Sequence, residues 1–551
     1  MSQLITIILF YFLILFSILG FGRIVTIFNS NYQVSSFDGL IGISILILIS
    51  FITNLFFPHN LIHNSIVITF GLFLFIFDLK NNFSNRIKEI KLILLVFSII
   101  FIGILLYKNH DDFYYYHFPY SLILTNFEKI FGLGNLNHGF RTPSSIFYLN
   151  SLFYLPGIKY FLMNSGAIYI FGFVNLVLIE LIVKYLKQNS QNFILFLSVL
   201  SFVYINSKFS RFSEHGTDLS AIILIFLMAV YYYENVNSIN KISRSEFFKE
   251  YFIKINILFI LIISLKTFYL IYLLIYLAWL YENKSFFLKK GSFTLIIKNF
   301  STYVFILILF FVFFTIFSNT GCLIYPASFT CFEQFSWSIP IGTVEQMNLW
   351  YEQWSKAGAG PNFRVENPEI YILKFNWVPN WFEMYFFTKV SDNIFVIILV
   401  SLITYLILSF KNKRKNNYKY KYLLFYILLI ILFFEWFYNH PALRYGGYSL
   451  IALIIFIPIS LLISGYVFNL NILKKRIYFL MFLSTFIFLS KNISRISNEI
   501  DKYNYKPVKS SFFYLNKDGF KINDTVSKLY EKNFKYSDNL FFILNKRTMS
   551  E

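Results

Sequence analysis

Apolar runs of about twenty residues recur along the chain and constrain its fold more than any other feature. Residues 3–22 and 38–57 form the first two runs, and similar runs follow as far as residue 490. A helix of about 20 residues crosses a hydrocarbon core of about 30 Å. Only 14% of the 551 residues are charged, whereas soluble domains carry about 25%. The sequence therefore predicts a polytopic membrane protein, and it excludes a soluble enzyme, a nucleic-acid-binding module and a disordered chain.

We expect an all-α polytopic integral membrane protein with about fourteen transmembrane helices. The predicted spans are 3–22, 38–57, 61–79, 91–107, 166–186, 192–207, 216–233, 251–264, 266–281, 293–319, 391–410, 422–438, 447–469 and 477–490. The stretch Ser144–Phe161 is also apolar, but Asn150, Pro156 and Gly157 interrupt it. We interpret this stretch as an interfacial or re-entrant element, because irregular backbone is not stable in contact with lipid.

Basic clusters indicate which loops face the cytoplasm. The clusters lie at 80–91, 241–249, 284–290, 411–415 and 474–476. If 144–161 does not cross the membrane, strict alternation of the spans places all five basic clusters on one side. That side is predicted to be cytoplasmic, because cytoplasmic loops concentrate Lys and Arg. The net charge of +20 is then mostly an orientation signal. We expect a transmembrane core over 1–490, with long outer loops at 108–165 and 320–390 and a small outer tail at 491–551.

Only two cysteines are present, and both lie at the start of the second long outer loop. Eight residues separate Cys322 from Cys331, which is enough to close a ring, and this spacing excludes a C-x-x-C metal site. An outward-facing loop lies in an environment that permits disulfides. We predict a disulfide between the two residues, and two free thiols are the alternative.

Two adjacent carboxylates open the first outer loop, in the sequence His110-Asp111-Asp112-Phe-Tyr-Tyr-Tyr-His117. They follow a predicted span directly and so lie at the membrane surface. Backbone N–H groups at a helix N-terminus keep an Asp ionised, and an ionised carboxylate can take a proton from an acceptor hydroxyl. Asp111 and Asp112 are therefore the candidate catalytic residues. In the alternative interpretation, one is a helix cap and the other is a solvated charge.

Further ionisable residues are predicted at the same surface. The candidate substrate-binding residues are His117, His138, Arg141, Arg211, Glu214, Asp218, Lys266, Arg364, His440 and Arg444. Lys266 lies in an otherwise apolar stretch, where an ionisable side chain is costly and marks a functional candidate; alternatively, its amine extends to the interface. Each Arg taken singly is explained as a solvated or interfacial charge. Carboxylates beside cations from four loops together indicate a base next to a phosphate-bearing substrate.

These features resemble the GT-C superfamily of polyprenyl-phosphate-sugar-dependent glycosyltransferases, and more closely a set of bacterial membrane proteins of GT-C-like character associated with cell-surface polysaccharides. The resemblance depends on the Asp pair after an early span, on Asp218 in the next outer loop, and on many helices with outward soluble parts. The looser matching motifs are Gly-Asn-Leu-x-His-x-Phe-Arg at 134–141, Ser264-Leu-Lys266, Gly321–Pro326, Trp337–Pro340 and Pro441–Gly446.

The resemblance implies an inverting sugar transfer on the external side of the bacterial plasma (inner) membrane. One residue of the Asp pair would act as the base while the sugar leaves its polyprenyl phosphate for a glycan, lipid or protein acceptor. Lys266, Arg211 and Arg444 would neutralise the phosphate, and Asp218 would correspond to the second-loop acid. The expected partners are the lipid bilayer, this donor and the acceptor, with no nucleic acid.

The cofactor and the class of function each have an alternative. Some members of the superfamily use a divalent metal, so Mg²⁺ or Mn²⁺ is a candidate cofactor. The candidate ligands are His110, Asp112, His117 and His215, although their spacing is not that of a tight metal site. A transporter or flippase of lipid-linked glycans is the alternative function, but transporters usually carry internal repeats and broken helices in both halves. A non-catalytic assembly scaffold would leave the Asp pair unexplained.

Overall fold

Helices make up nearly all of the regular structure in the described residues, which confirms the predicted helical class. The computed structural model describes residues 3–28, 35–188, 193–214, 216–239, 241–360, 365–409, 423–467, 469–533 and 542–544. Helices α1 to α11 are Gln3–Phe28, Asp38–Asn54, Leu61–Ile100, Phe118–Asn126, Ser145–Ser151, Gly166–Lys187, Phe193–Lys208, Gly216–Ser238, Arg244–Lys249, Tyr251–Leu265 and Leu273–Glu282.

The second half of the described chain continues the helical pattern. Helices α12 to α22 are Lys284–Phe287, Ser292–Ile297, Phe300–Thr320, Ile341–Lys356, Pro368–Ile372, Val378–Trp381, Ser391–Leu408, Leu423–Asn439, Gly447–Ser464, Leu470–Tyr503 and Asp518–Asn533. Two short strands, β1 (Ile130–Phe131) and β2 (Phe542–Ile543), pair in parallel and join the first outer loop to the end of the chain.

Seven helical segments of the described chain are long and apolar enough to cross a membrane. They are Gln3–Val25, Leu61–Asn81, Tyr160–Lys187, Gly216–Ser238, Phe300–Thr320, Val378–Leu408 and Gly447–Ser464. The shorter apolar segments are Asp38–Asn54, Phe193–Lys208, Thr267–Glu282 and Leu423–Asn439. This pattern fits a helical membrane protein with several passes.

Helix α3 covers the third predicted span and the first ten residues of the fourth, 91–100. No Gly or Pro lies between these spans, and the basic segment between them is helical. Both halves of α3 contact α1: Gly71 packs directly on Gly20, and the Tyr11 hydroxyl donates to the Phe97 carbonyl over 3.1 Å. A straight helix would separate residues 71 and 97 by about 39 Å, whereas their α1 partners are about 14 Å apart. Helix α3 therefore bends back along α1.

A buried ion network lies at this bend. Arg23 of α1 pairs with Asp78 and with Glu89, at 3.1 Å in each case. Arg86 adds a contact of 3.2 Å to Asp78. Buried charges of this kind are tolerated when each has an opposite partner, so the network ties the two halves of α3 to the end of α1.

Three other elements clarify the predicted boundaries. Helix α5 has seven residues and a length of about 10 Å, which is shorter than a hydrocarbon core of about 30 Å. The predicted span 293–319 divides before α14, where the Asn299 side chain accepts the Ser301 N–H over 3.0 Å. Helix α21 continues to Tyr503, so the first residues of the predicted tail belong to the same helix as the last predicted span.

The outer loops and the tail pack together at one end of the helices. The Gly132 N–H donates to the Ser318 carbonyl at the end of α14, over 2.7 Å. Asn126 of α4 hydrogen-bonds Asn523 of α22 over 3.0 Å. These contacts place the first loop, the end of α14 and the tail on the same side of the molecule.

The two cysteines form a disulfide directly after α14, in the loop where we predicted one. The Leu323 N–H donates to the Thr330 carbonyl over 3.1 Å, and the Phe332 N–H donates to the Gly321 carbonyl over 2.9 Å. The disulfide therefore joins the two sides of a short hairpin at its base.

The contact between α1 and α2 provides a test of the packing. A Cβ atom on Gly42 would lie 1.9 Å from the Ile18 carbonyl oxygen, so Gly42→Ala should force the helices apart and lower the free energy of unfolding by about 1–3 kcal/mol. Gly342→Ala on α15 is the control, because nothing lies within 4 Å of its added Cβ. Unfolding of the purified variants in detergent measures both effects, and an equal loss in the two variants would contradict the packing.

The buried Lys129 predicts a pH dependence of stability. Its amine contacts Asn319 Oδ1 at 3.3 Å and the Tyr148 hydroxyl at 3.4 Å, both uncharged groups. Burial lowers the pKa of Lys129 from 10.5 to about 7. Between these values the unfolded chain binds the proton and the folded chain does not, so stability should rise with pH from about 7 to 10. Melting temperatures should rise less steeply with pH for Lys129→Met than for the wild type. Identical slopes would contradict the lowered pKa of Lys129.

Candidate functional site

Four charged residues from four separate segments meet at one end of the helices. Asp112 precedes the π-helical turn that leads into α4, and Asp218 lies in the first turn of α8. Lys266 directly follows α10, and Arg444 lies in the 3₁₀ turn before α20. All four belong to the candidate residues chosen from the sequence, and we call them the charged tetrad.

Arg444 links the two carboxylates of the tetrad. Its Nε donates to Asp218 Oδ2 over 2.7 Å, and its Nη2 lies 3.6 Å from Asp112 Oδ2. Lys266 donates to the other oxygen of Asp218. The tetrad is thus a chain of alternating charges, carboxylate–guanidinium–carboxylate–ammonium, with no net charge when all four groups are ionised.

The tetrad is open to solvent on one side. The side chains of Arg444 and Asp112 are 35% and 31% exposed, whereas that of Asp218 is 10% exposed. Burial opposes the charge of Arg444, but the adjacent Asp218 carboxylate outweighs burial and raises the pKa of Arg444 well above its usual value. A polar ligand can therefore reach a permanently charged guanidinium from the exposed side.

Two buried indoles fix the turn that carries the tetrad arginine. Trp436 donates its ring N–H to the Ala442 carbonyl over 2.9 Å, and Trp381 donates its ring N–H to the Pro441 carbonyl over 3.1 Å. Gly446 ends the turn with φ +102°, a conformation that glycine adopts without strain. These contacts fix the backbone of the turn that carries Arg444, and so hold its guanidinium in the tetrad.

The start of α5 fixes the segment that carries the tetrad lysine. Lys266 has an extended backbone, which ends α10. The Ser144 hydroxyl donates to the Leu265 carbonyl over 2.6 Å, and the Ser145 hydroxyl donates to the Ser264 hydroxyl over 2.9 Å. The apolar element within residues 108–165 therefore positions the segment that carries Lys266.

The adjacent aspartates have different environments. The Asp111 side chain is 90% exposed and lies 3.6 Å from Lys108, outside the tetrad. The Asp112 backbone N–H donates to His110 Nδ1 over 3.1 Å, and the Asp112 carboxylate faces Arg444. The sequence left both residues as candidates, and the structure brings only Asp112 into the charged cluster.

Tyr445 and His440 line the tetrad on the side of Lys266. The Lys266 amine lies 4.6 Å from the centre of the Tyr445 ring, a cation–π contact. The His440 ring lies 5.8 Å from Tyr445, and burial together with the charge of Lys356 lowers the pKa of His440 to about 4. His440 is therefore neutral near pH 7. Tyr445 was not a candidate from the sequence, although its place beside Arg444 was a signal.

His138 and Arg141 lie near the Asp112 side of the tetrad. His138 Nδ1 hydrogen-bonds the Tyr115 hydroxyl over 3.0 Å. Burial and the charge of Arg141 lower the pKa of His138, although Asp112 acts in the opposite direction. Arg141 Nη1 donates to the Tyr325 hydroxyl over 3.0 Å. Both candidates therefore contribute polar groups beside the site.

Arg211 and Glu214 belong to a different network. Arg211 Nε donates to Glu214 Oε1 over 2.9 Å. Glu214 also lies 3.8 Å from Arg495 of α21, which lies 3.9 Å from Glu499. Glu499 accepts the Tyr107 N–H over 2.9 Å, so this network joins α21 to the start of the first loop. The structure does not bring these two candidates to the tetrad.

The remaining candidates are not part of the tetrad either. His117 is buried, with its ring 5.0 Å from Phe147. Arg364 and His215 lie outside the described residues. Within the described ranges, no group of three or more His, Cys, Asp or Glu side chains is arranged to hold a metal ion.

The model of a family described as a domain of unknown function (DUF8201) matches residues 4–451. The matched region contains the charged tetrad and both cysteines. No curated protein and no solved structure matches the chain. Because the family match covers well over half of its length, the chain belongs to the DUF8201 family.

Proposed function

We propose that this protein is a GT-C-type membrane glycosyltransferase of the bacterial plasma membrane. It transfers a sugar from a polyprenyl-phosphate donor to an acceptor hydroxyl on the outer side. The charged tetrad is the observation that supports this function best, because it combines a partly exposed carboxylate with two cations at the ends of apolar helices. A lipid-linked phosphate at the membrane surface is a substrate that such a site suits.

In the proposed reaction, Asp112 takes the proton of the acceptor hydroxyl. The hydroxyl oxygen attacks the anomeric carbon from the side opposite the phosphate and forms the new C–O bond. The bond between this carbon and the phosphate oxygen breaks, and its electron pair leaves on the phosphate. Arg444 and Lys266 neutralise the charge that develops on the leaving phosphate. The configuration at the anomeric carbon is inverted.

The two contacts of Arg444 support different roles for the two carboxylates. The 2.7 Å contact with Asp218 is a full hydrogen bond, whereas the 3.6 Å contact with Asp112 is longer than one. Asp218 therefore orients the guanidinium and is a positioning residue. The Nη edge toward Asp112 is the edge that a phosphate can engage with two hydrogen bonds. Asp112 then remains available to accept the proton.

We further propose about fourteen membrane passes, with the loops 108–165 and 320–390 and the tail outside. The bend of α3 supports two passes for this helix, since both of its halves contact α1. The contacts among the first loop, the end of α14 and the tail support one common outer side.

Single introduced cysteines test this sidedness. Both native cysteines are in the disulfide, so an added cysteine supplies the free thiol. Gly342→Cys, which has open space around its Cβ position, should react with a membrane-impermeant maleimide on intact cells. Lys289→Cys lies at an exposed position in a predicted cytoplasmic loop, so it should react only after permeabilisation. The reverse pattern would contradict the proposed orientation.

Asp111 provides a matched control for the proposal that Asp112 is the catalytic base. Asp112→Asn keeps the size of the side chain but removes the base, so transfer should fall by about 10²–10⁴-fold. Asp111→Asn makes the same change at a side chain that is 90% exposed, and transfer should stay near the wild-type rate. The variants are compared in a deletion strain by mass spectrometry of surface glycans and lipid-linked sugars, at matched protein levels.

Two outcomes of this comparison would overturn the proposal. Wild-type transfer by Asp112→Asn would remove Asp112 as the base. The side on which the lipid-linked sugar accumulates separates the transferase from a flippase: loss of the transferase leaves the sugar facing outward, whereas loss of a flippase leaves it facing the cytoplasm.

A further inference from the structure

Helix α15 carries aromatic side chains that lie beside the charged tetrad. The indole rings of Trp350 and Trp354 are nearly parallel, with centres 6.2 Å apart and an angle of 21° between their planes. Their spacing of four residues places them on the same face of α15. We call these two indoles the aromatic shelf.

The shelf leads from the tetrad to solvent. At its inner end, the Trp354 ring centre lies 5.8 Å from Arg444 Cζ and 6.1 Å from the centre of the Tyr445 ring. At its outer end, Trp350 is 36% exposed, and its ring lies 6.3 Å from that of His138. A ligand on the shelf would therefore have one end beside the guanidinium of the tetrad.

Polar groups lie along one edge of the shelf. Tyr115 is 48% exposed, and its hydroxyl hydrogen-bonds His138 over 3.0 Å. Arg141, whose charge acts on the His138 ring, lies behind this pair and donates to the buried Tyr325 hydroxyl over 3.0 Å. The region thus combines flat aromatic surface with hydrogen-bonding groups at its rim, which is the composition of a specific small-ligand site.

Helix α15 holds the shelf in a fixed position. The buried amine of Lys356, at the end of α15, donates to Glu352 and to the Ile372 carbonyl. It also lies 5.4 Å from the ring centre of Trp377 and 5.1 Å from that of Tyr438. A surface fixed before binding loses little entropy when a ligand arrives.

The chemistry of the shelf matches a sugar ring better than a lipid chain. A pyranose has C–H groups on its faces and hydroxyl groups at its edge, and these fit an indole face with a polar rim. A lipid chain would cover the rim without satisfying its donors and acceptors. Exposed Glu345, Gln346 and Asn348 on the same helix also show that α15 is not embedded in lipid.

We infer that the aromatic shelf binds a sugar ring of the acceptor, so that the acceptor is a glycan and not a protein or a simple lipid. This inference rests on the proposed function and specifies its substrate class. The reacting hydroxyl lies toward Asp112 and Arg444, and the remainder of the glycan extends past Trp350 into solvent.

Binding of the purified full-length protein in lipid nanodiscs to a printed array of bacterial oligosaccharides tests the inference. The wild type should bind one or more array glycans. Trp350→Ala should weaken this binding at least tenfold, and Trp350→Phe, which keeps an aromatic face, should retain most of it. Leu349→Ala is the matched control, because it truncates an exposed apolar side chain one residue away on the same helix.

The outcomes separate the glycan site from the proposed transfer. Failure of the wild type to bind any array glycan, or equal binding by Trp350→Ala and Leu349→Ala, would overturn the inference. Asp111→Asn should bind the glycan with wild-type strength, because the Asp111 side chain is 90% exposed and lies outside both the tetrad and the shelf. Glycan binding that depends on Trp350 in a protein without transfer activity would support the shelf and contradict the proposed function. Equal melting temperatures for the compared variants show that lost binding is not lost folding.

Discussion

The buried carboxylate of Asp218 is the constraint on which the tetrad end of the structure depends. An unpaired charge with 10% exposure would cost several kcal/mol, and this charge lies in the first turn of an apolar helix. Arg444 and Lys266 provide the compensating charges, from 226 and 48 residues away in the sequence. The end of α10 and the turn before α20 must therefore come to the start of α8.

The unpaired backbone carbonyls at helix ends are a second constraint, and groups in the loops provide their hydrogen-bond partners. The last carbonyls of a helix have no partner within the helix, and lipid offers none. The Ser144 hydroxyl bonds the last carbonyl of α10, at Leu265, and the Gly132 N–H bonds the Ser318 carbonyl near the end of α14. The loops are thus held by the same groups that the helices leave unpaired. A polar site can therefore form at the ends of apolar helices.

The sequence was sufficient to find the members of the tetrad, because an ionisable residue beside apolar spans is costly and so indicates a role. The sequence could not show which residues form ion pairs with one another, either within the tetrad or in the separate network of Arg211 and Glu214. Arg211 and Glu214 are three residues apart, a spacing that favours a local ion pair, yet their partners in α21 lie far along the chain. The sequence predicted two spans joined by a basic loop at 80–91, but it did not show that this connection stays helical within α3.

Helical geometry explains why one aspartate of the pair joins the tetrad and the other does not. Successive residues in a helical turn point about 100° apart, so Asp112 faces Arg444 while Asp111 faces solvent. The same guanidinium is held along one edge by Asp218 and lies over the Trp354 ring, and these two contacts together restrain its plane. In the proposed reaction, the free edge of Arg444 binds the phosphate and the neighbouring indole binds the glycan. One restrained side chain would then set the distance between the leaving group and the attacking hydroxyl.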